Sequence, residues 1–235
     1  MLVSELRSDA VNMGLLADPA PGALSANELP LLQRLALTYA PSRSKPLTLG
    51  LLALDERLAS VLRGRREPIA AQIRLAWWRD TLASPQNEWP LGEPVLELLR
   101  LWRHPENLET LVTGWEALLS DDLTPSAIAE FVDGRAQGFE ALARELGVRR
   151  TKDAATAARV WALADLAANI SDGDERRLIV DYGQGLPASP RLTASLRPLA
   201  VLAGLGAAAL AKGGAPLLQG PRSLLLALRI GLTGR

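Results

Sequence analysis

The chain has 235 residues, enough to bury one good hydrophobic core, and a single domain is the default expectation. Its 26 Lys and Arg balance 26 Asp and Glu, which leaves no electrostatic case for nucleic acid as a partner. With no cysteine and one histidine, His104, the composition excludes a disulfide scaffold, thiolate chemistry, a multi-histidine metal site and any Ser-His-Asp relay not built on that residue.

Leu and Ala dominate and β-branched residues are sparse, so the class is read as all-α. The opening MLVSELRSDAVNMGLL lacks the basic and apolar regions of a signal peptide and suits a short amphipathic helix with Leu2, Leu6, Val11 and Leu15 as its apolar points. Residues 17–28 read as a linker, so 1–29 is taken as an N-terminal segment and 30–235 as one domain. A helix is predicted from about Asn27 and Pro30 through Leu31, Leu32 and Leu35 to Tyr39, with Pro41 as its stop. The following turn brings Arg43 and Lys45 together. The stretch from Leu47 to Ala83 reads as two helices. Leu51, Leu54, Leu58 and Val61 or Leu62 form the apolar face of the first; Ile69, Ile73 and Trp77 form that of the second, with Pro68 in its first turn. The joining turn, Arg63-Gly64-Arg65-Arg66, could hold an anion such as a phosphate or lipid head group, but Asp55, Glu56 and Glu67 stand near enough to neutralise it.

Ser84 to Pro90 breaks the pattern, and a short helix is expected over about 92–102. His104 reads as a solvated helix-end residue before Pro105, whose helix carries Leu108, Leu111, Val112, Trp115, Leu118 and Leu119 on one face; Trp115 is expected to be buried. Thr124 and Pro125 open the next helix, with Ile128, Phe131, Val132, Phe139, Leu142 and Leu146 on its stripe and Gly147 at its end. Arg135 and Gln137 sit inside this otherwise apolar helix but off its stripe; the plain reading is that they face solvent, the other that an Arg here narrows or polarises a cavity lined by the helix. An Ala-rich helix over 151–170 is broken at Ser171. Asp172, Asp174 and Glu175 are the candidate metal ligands, beside the plainer reading of a solvated turn, since Gly173 disfavours a helix there. Two apolar helices, 191–212 and 216–232, close the chain around Lys212-Gly213-Gly214, each too short to span a bilayer. The last has apolar residues on two faces. It is either the central helix of the bundle or a peripheral contact with a membrane or partner, with Arg222, Arg229 and Arg235 reaching lipid phosphates. Six Trp stand against two Phe and two Tyr; Trp77 and Trp78 point about 100° apart, so either one suits the core and the other a cavity or partner, or both pack against neighbouring helices.

Leu35 to Pro41 with Arg43, the helix after Leu47, the Trp77-Trp78 pair, Thr113 to Glu116 and Ala143 to Gly147 together resemble the opening of the squalene/phytoene synthase family, over roughly residues 30–150. The resemblance implies an isoprenoid synthase fold, an all-α bundle around a cavity, truncated at its C-terminal end. In active members, carboxylates on the first of those helices, and a second DxxxD late in the chain, hold Mg²⁺ against a diphosphate. Ala168-Asn169-Ile170 is similar to the run before that second motif. Aligning Leu51 to Leu54 on the family's apolar run puts Ala59, Ser60 and Arg63 at the acidic positions and Asp55 and Glu56 one turn early; Ala59 offers a hard cation no oxygen. The chain is therefore closest in pattern to the family's degenerate branch, which includes the mitochondrial complex I assembly factor and its bacterial relatives.

The implied function is a non-catalytic, pseudoenzyme-like protein that binds an isoprenoid, a lipid or a protein client, with no cofactor and no catalytic residue. Tyr39, Arg43, Asp55 and Trp78 are the candidate substrate-binding residues. The alternative is a prenyl transferase condensing isoprenyl diphosphates in isoprenoid biosynthesis, with Mg²⁺ as cofactor. The expected location is the cytoplasm or, through 216–232, the inner face of its membrane.

Overall fold

Helix-forming composition is realised as ten α-helices and no strand among the residues that the computed structural model describes, 28–63, 68–120, 122–187 and 189–234. The expected amphipathic segment at Leu2 to Leu15, most of the linker, the turn at 64–67 and Arg235 lie outside them. In chain order the helices are α1 (Leu31–Leu37), α2 (Lys45–Arg63), α3 (Pro68–Ala83), α4 (Pro94–Leu99), α5 (Glu109–Glu116), α6 (Pro125–Glu145), α7 (Thr151–Asn169), α8 (Gly173–Gln184), α9 (Arg197–Leu210) and α10 (Gly220–Thr233).

Local chemistry accounts for several boundaries. Thr124 accepts the Ala127 N–H at 3.2 Å and Pro125 occupies the first turn of α6; Gly147, at φ +68°, closes it. The long helix expected from Pro105 is tightened at both ends into 3₁₀ turns, leaving α5 as its middle. The helix expected from 191 begins instead at Arg197, because Pro198 fits a first turn and would break an interior. Helix α8 was not foreseen: its sequence is polar and it buries only Ile179, but Asp172 accepts the N–H groups of Asp174 and Glu175 and so offsets the cost of starting a helix at Gly173.

The face of α3 differs from the expected one. Ala71, Leu75, Trp78 and Leu82 enter the core, while Ile69 and Ile73 are 72% and 49% exposed and Trp77 is half-buried. Two apolar stripes compete on this helix, and the one that runs its full length is the one buried.

The centre is an antiparallel pair, α6 and α7, with α5 and α2 against α6, and α9 and α8 against α7; α3 packs on α5, and α10 on α9. Small residues set the spacing. A Cβ on Gly134 would lie 2.6 Å from the Thr110 carbonyl oxygen and 2.8 Å from the Gly114 Cα, so the α5 and α6 backbones touch. Trp115, at the middle of α5, is buried as its stripe requires. Helix α10 is not central. It buries Ala227, Ile230 and Gly231 and leaves its other face outside. Among the described residues, no helix is long and apolar enough to cross a membrane.

Because backbone flanks Gly134 on α5, neither side can yield by rotating a side chain. Gly134→Ala should cost about 1–3 kcal/mol by urea unfolding, the usual range for overpacking; a variant as stable as the wild type would show that the two helices can separate freely.

Candidate functional site

On α6, Arg135 follows Ile128 by seven residues and precedes Phe139 by four, which is the spacing of one helical face. The solvent-facing assignment is therefore corrected: Arg135 belongs to the apolar stripe, and only 1% of its side chain is exposed. A buried guanidinium needs acceptors and counter-charge, and two flanking helices supply them. Asp55 of α2 takes Nε–H at 3.0 Å and Nη2–H through its other oxygen, a two-pronged pairing. Asp165 of α7 takes Nη1–H at 2.8 Å.

Aromatic rings enclose the cation. The guanidinium carbon lies 4.0 Å from the ring centre of Trp161, 5.2 Å from Phe131 and 5.4 Å from Trp115. Trp115 also donates its indole N–H to Asp55 Oδ1 at 2.9 Å and meets Phe131 edge-to-face. Helices α2, α5, α6 and α7 thus meet at one charge network.

The network forms the floor of a cavity of about 570 Å³ between α2, α6 and α7, reaching α1 and the start of α8. Ala59, Leu62, Leu118, Leu123, Leu166 and Ile170 give it apolar walls. Glu56, paired with Arg63, and Asn169, Asp172 and Glu175 give it polar ones. Two buried polar atoms of lining residues, Gln33 Oε1 and Trp161 Nε1, have no hydrogen-bond partner among the described residues.

Burial works to lower the pKa of Arg135, but the charges of Asp55 and Asp165 outweigh it and hold the guanidinium above its ordinary value. Asp165 is pushed up by burial, against the attraction of Arg135, although 25% of its side chain stays open to the cavity. Burial likewise raises Glu56, against Arg63. Asp172 is held below the ordinary range by the Glu175 and Asp174 N–H groups that it caps.

Of the candidate substrate-binding residues, Asp55 alone lines the cavity, and there it is bound to Arg135 and Trp115. Tyr39 lays its ring against Gly231 of α10, Arg43 is exposed, and Trp78 is buried edge-to-face with Trp77. Asp172 and Glu175 stand at the cavity while Asp174 turns to Arg177, and no group of three or more Asp, Glu or His among the described residues could hold a metal ion. Ser60 is exposed and bonded to the Arg57 carbonyl; Asp55, Glu56, Ala59 and Arg63 are the residues of α2 that line the cavity with Leu62. Asp55 thus stands at the cavity itself, and Ala59 follows it one turn along. Asp165 and Trp161 were missed as site residues. A signal existed for Asp165, the lone charge within the Ala-rich run after Val160, four residues before Asn169, whose amide donates back to the Asp165 carbonyl at 2.8 Å.

No protein-family model, curated protein or solved structure matches the chain.

Removing the cation should be severe. Arg135→Met leaves two carboxylates facing each other in a buried site and should cost about 3–5 kcal/mol by urea unfolding; a loss below about 1 kcal/mol would mean that water already shares the network. A carboxylate whose folded pKa is raised stabilises the fold below its unfolded pKa, about 3.9 for Asp, and loses that contribution as pH rises through the folded pKa. Asp165→Asn, which cannot ionise, should therefore gain in stability relative to the wild type as pH rises above about 4, the ordinary Asp value. A constant difference above that pH would mean that Asp165 titrates normally.

Proposed function

We propose that the chain is a non-catalytic binding protein of squalene/phytoene synthase-like type, which holds an isoprenoid or similar lipid in the cavity above Arg135. The observation that carries this reading is the bridging of Asp55 and Asp165 by Arg135. A prenyl transferase of the resembled family needs oxygen ligands on two sides of its cavity to clamp Mg²⁺ around a departing diphosphate. The residues present do not fit that ion. Asp55 spends both oxygens on Arg135 and one of them also on Trp115; Asp165 spends Oδ2 on Arg135; Ala59 has no ligand atom.

The balance of charge points the same way. Asp55, Glu56, Asp165, Asp172 and Glu175 line the cavity against Arg63 and Arg135, an excess of carboxylates that repels a diphosphate. Its apolar walls and a volume of about 570 Å³ suit a branched hydrocarbon chain ending in a neutral or donor head group. Nothing in the cavity favours a protein client, and the prenyl transferase reading would require Arg135 to leave both partners.

Farnesol is a suitable probe, because Trp115 and Trp161 line the cavity and report on it by fluorescence. Farnesol should quench saturably, and farnesyl diphosphate with Mg²⁺ should bind more weakly and release no pyrophosphate beyond a heat-denatured control. Ala59→Trp, which fills the cavity beside α2, should weaken farnesol at least about tenfold, a loss of 1.4 kcal/mol. Pyrophosphate release that depends on Asp55 would turn the assignment to the enzyme; absence of farnesol binding would remove the lipid reading.

A further inference from the structure

The outer face of α10 lies away from the cavity and is not explained by it. Leu224, Leu225, Leu228 and Leu232 are 54%, 64%, 47% and 69% exposed, although the opposite face packs on α9 and Tyr39. Exposed leucines at this helical spacing form one continuous stripe. Arg222 and Arg229 are exposed on the same side, at positions three before Leu225 and three before Leu232. No carboxylate stands within ion-pair distance of either among the described residues. The surrounding sequence supplies none: from Tyr182 to Arg235 there is no Asp or Glu, against Arg191, Arg197, Lys212, Arg222, Arg229 and Arg235. Arg197 itself lies against Gly234 at the C-terminal end of α10.

We propose that this face docks on the surface of an anionic lipid bilayer, with the helix lying in the plane of the head groups. The leucines would enter the boundary between head groups and acyl chains, and the arginine stems would lie along them while the guanidinium groups meet lipid phosphates. Charge selects this occupant over a second copy of the chain. A two-fold contact would set α10 against α10, bringing Arg222 and Arg229 towards their own counterparts with no acid in the segment to receive them. An anionic bilayer offers apolar depth and counter-charge together. The inference does not depend on what fills the cavity.

Co-sedimentation of the full chain with vesicles tests it. Binding should be clear for phosphatidylcholine vesicles containing phosphatidylglycerol, much weaker for phosphatidylcholine alone, and reduced by salt. The doubly substituted Arg222→Gln/Arg229→Gln chain should bind the anionic vesicles roughly thirtyfold less, about fivefold for each arginine near the surface. Leu225→Gln/Leu228→Gln should also lose binding while unfolding at the wild-type urea concentration, because both side chains are exposed. Equal binding to neutral and anionic vesicles overturns the proposal. So does a protein that stays in the supernatant, whether as a monomer or as a dimer, by light scattering, that the leucine substitutions dissociate. Retained binding in both double variants likewise overturns it.

Discussion

A guanidinium that lies on the apolar face of a helix cannot stay there alone. Placing Arg135 at 1% exposure removes it from water, and no hydrophobic neighbour can repay that loss. Charges on two other helices must arrive at the right depth, and the aromatic rings of a further position must close over the remaining surface. Asp55 fixes the rotation of α2, Asp165 that of α7, and Trp115 that of α5. The leucine and alanine packing supplies most of the cohesion, but apolar contacts tolerate small slips in register that this polar network does not.

The contact between Gly114 and Gly134 serves the same end. It lets α5 approach α6 closely enough for Trp115 to reach both Asp55 and the edge of Phe131. A wider spacing there would leave the Asp55 oxygen with one fewer donor, a cost comparable to a broken buried hydrogen bond. The cavity above is then a product of arrangement rather than of missing atoms. Its floor is charged, and its walls are partly short or apolar and partly polar side chains.

Much of the helical layout was legible in periodicity, because Leu, Ala and Trp recur at spacings that strands cannot use. The caps at Thr124 and Gly147 were legible from residue type, each having a local cause. What stayed hidden was non-local. Arg135 was placed off the apolar stripe, though its spacing from Ile128 and Phe139 puts it on that face; its partners lie 80 and 30 residues away. The face of α3 misled because Ile69 and Ile73 are more apolar than Ala71, yet burial follows from what the neighbouring helices present. Helix α8 was obscured because most of its stability comes from an aspartate cap and contacts with α7, and only one of its residues is fully buried.

A positive charge carried on a side chain differs from one borrowed from solution. A bound ion exchanges, competes with other ions and can be stripped by a chelator, so a site built on it is occupied only to the extent that the medium allows. The charge between Asp55 and Asp165 arrives with the polypeptide, one per chain, as soon as α6 docks. The electrostatic character of the cavity floor is consequently set at synthesis, indifferent to metal supply, and changed only by replacing the residue.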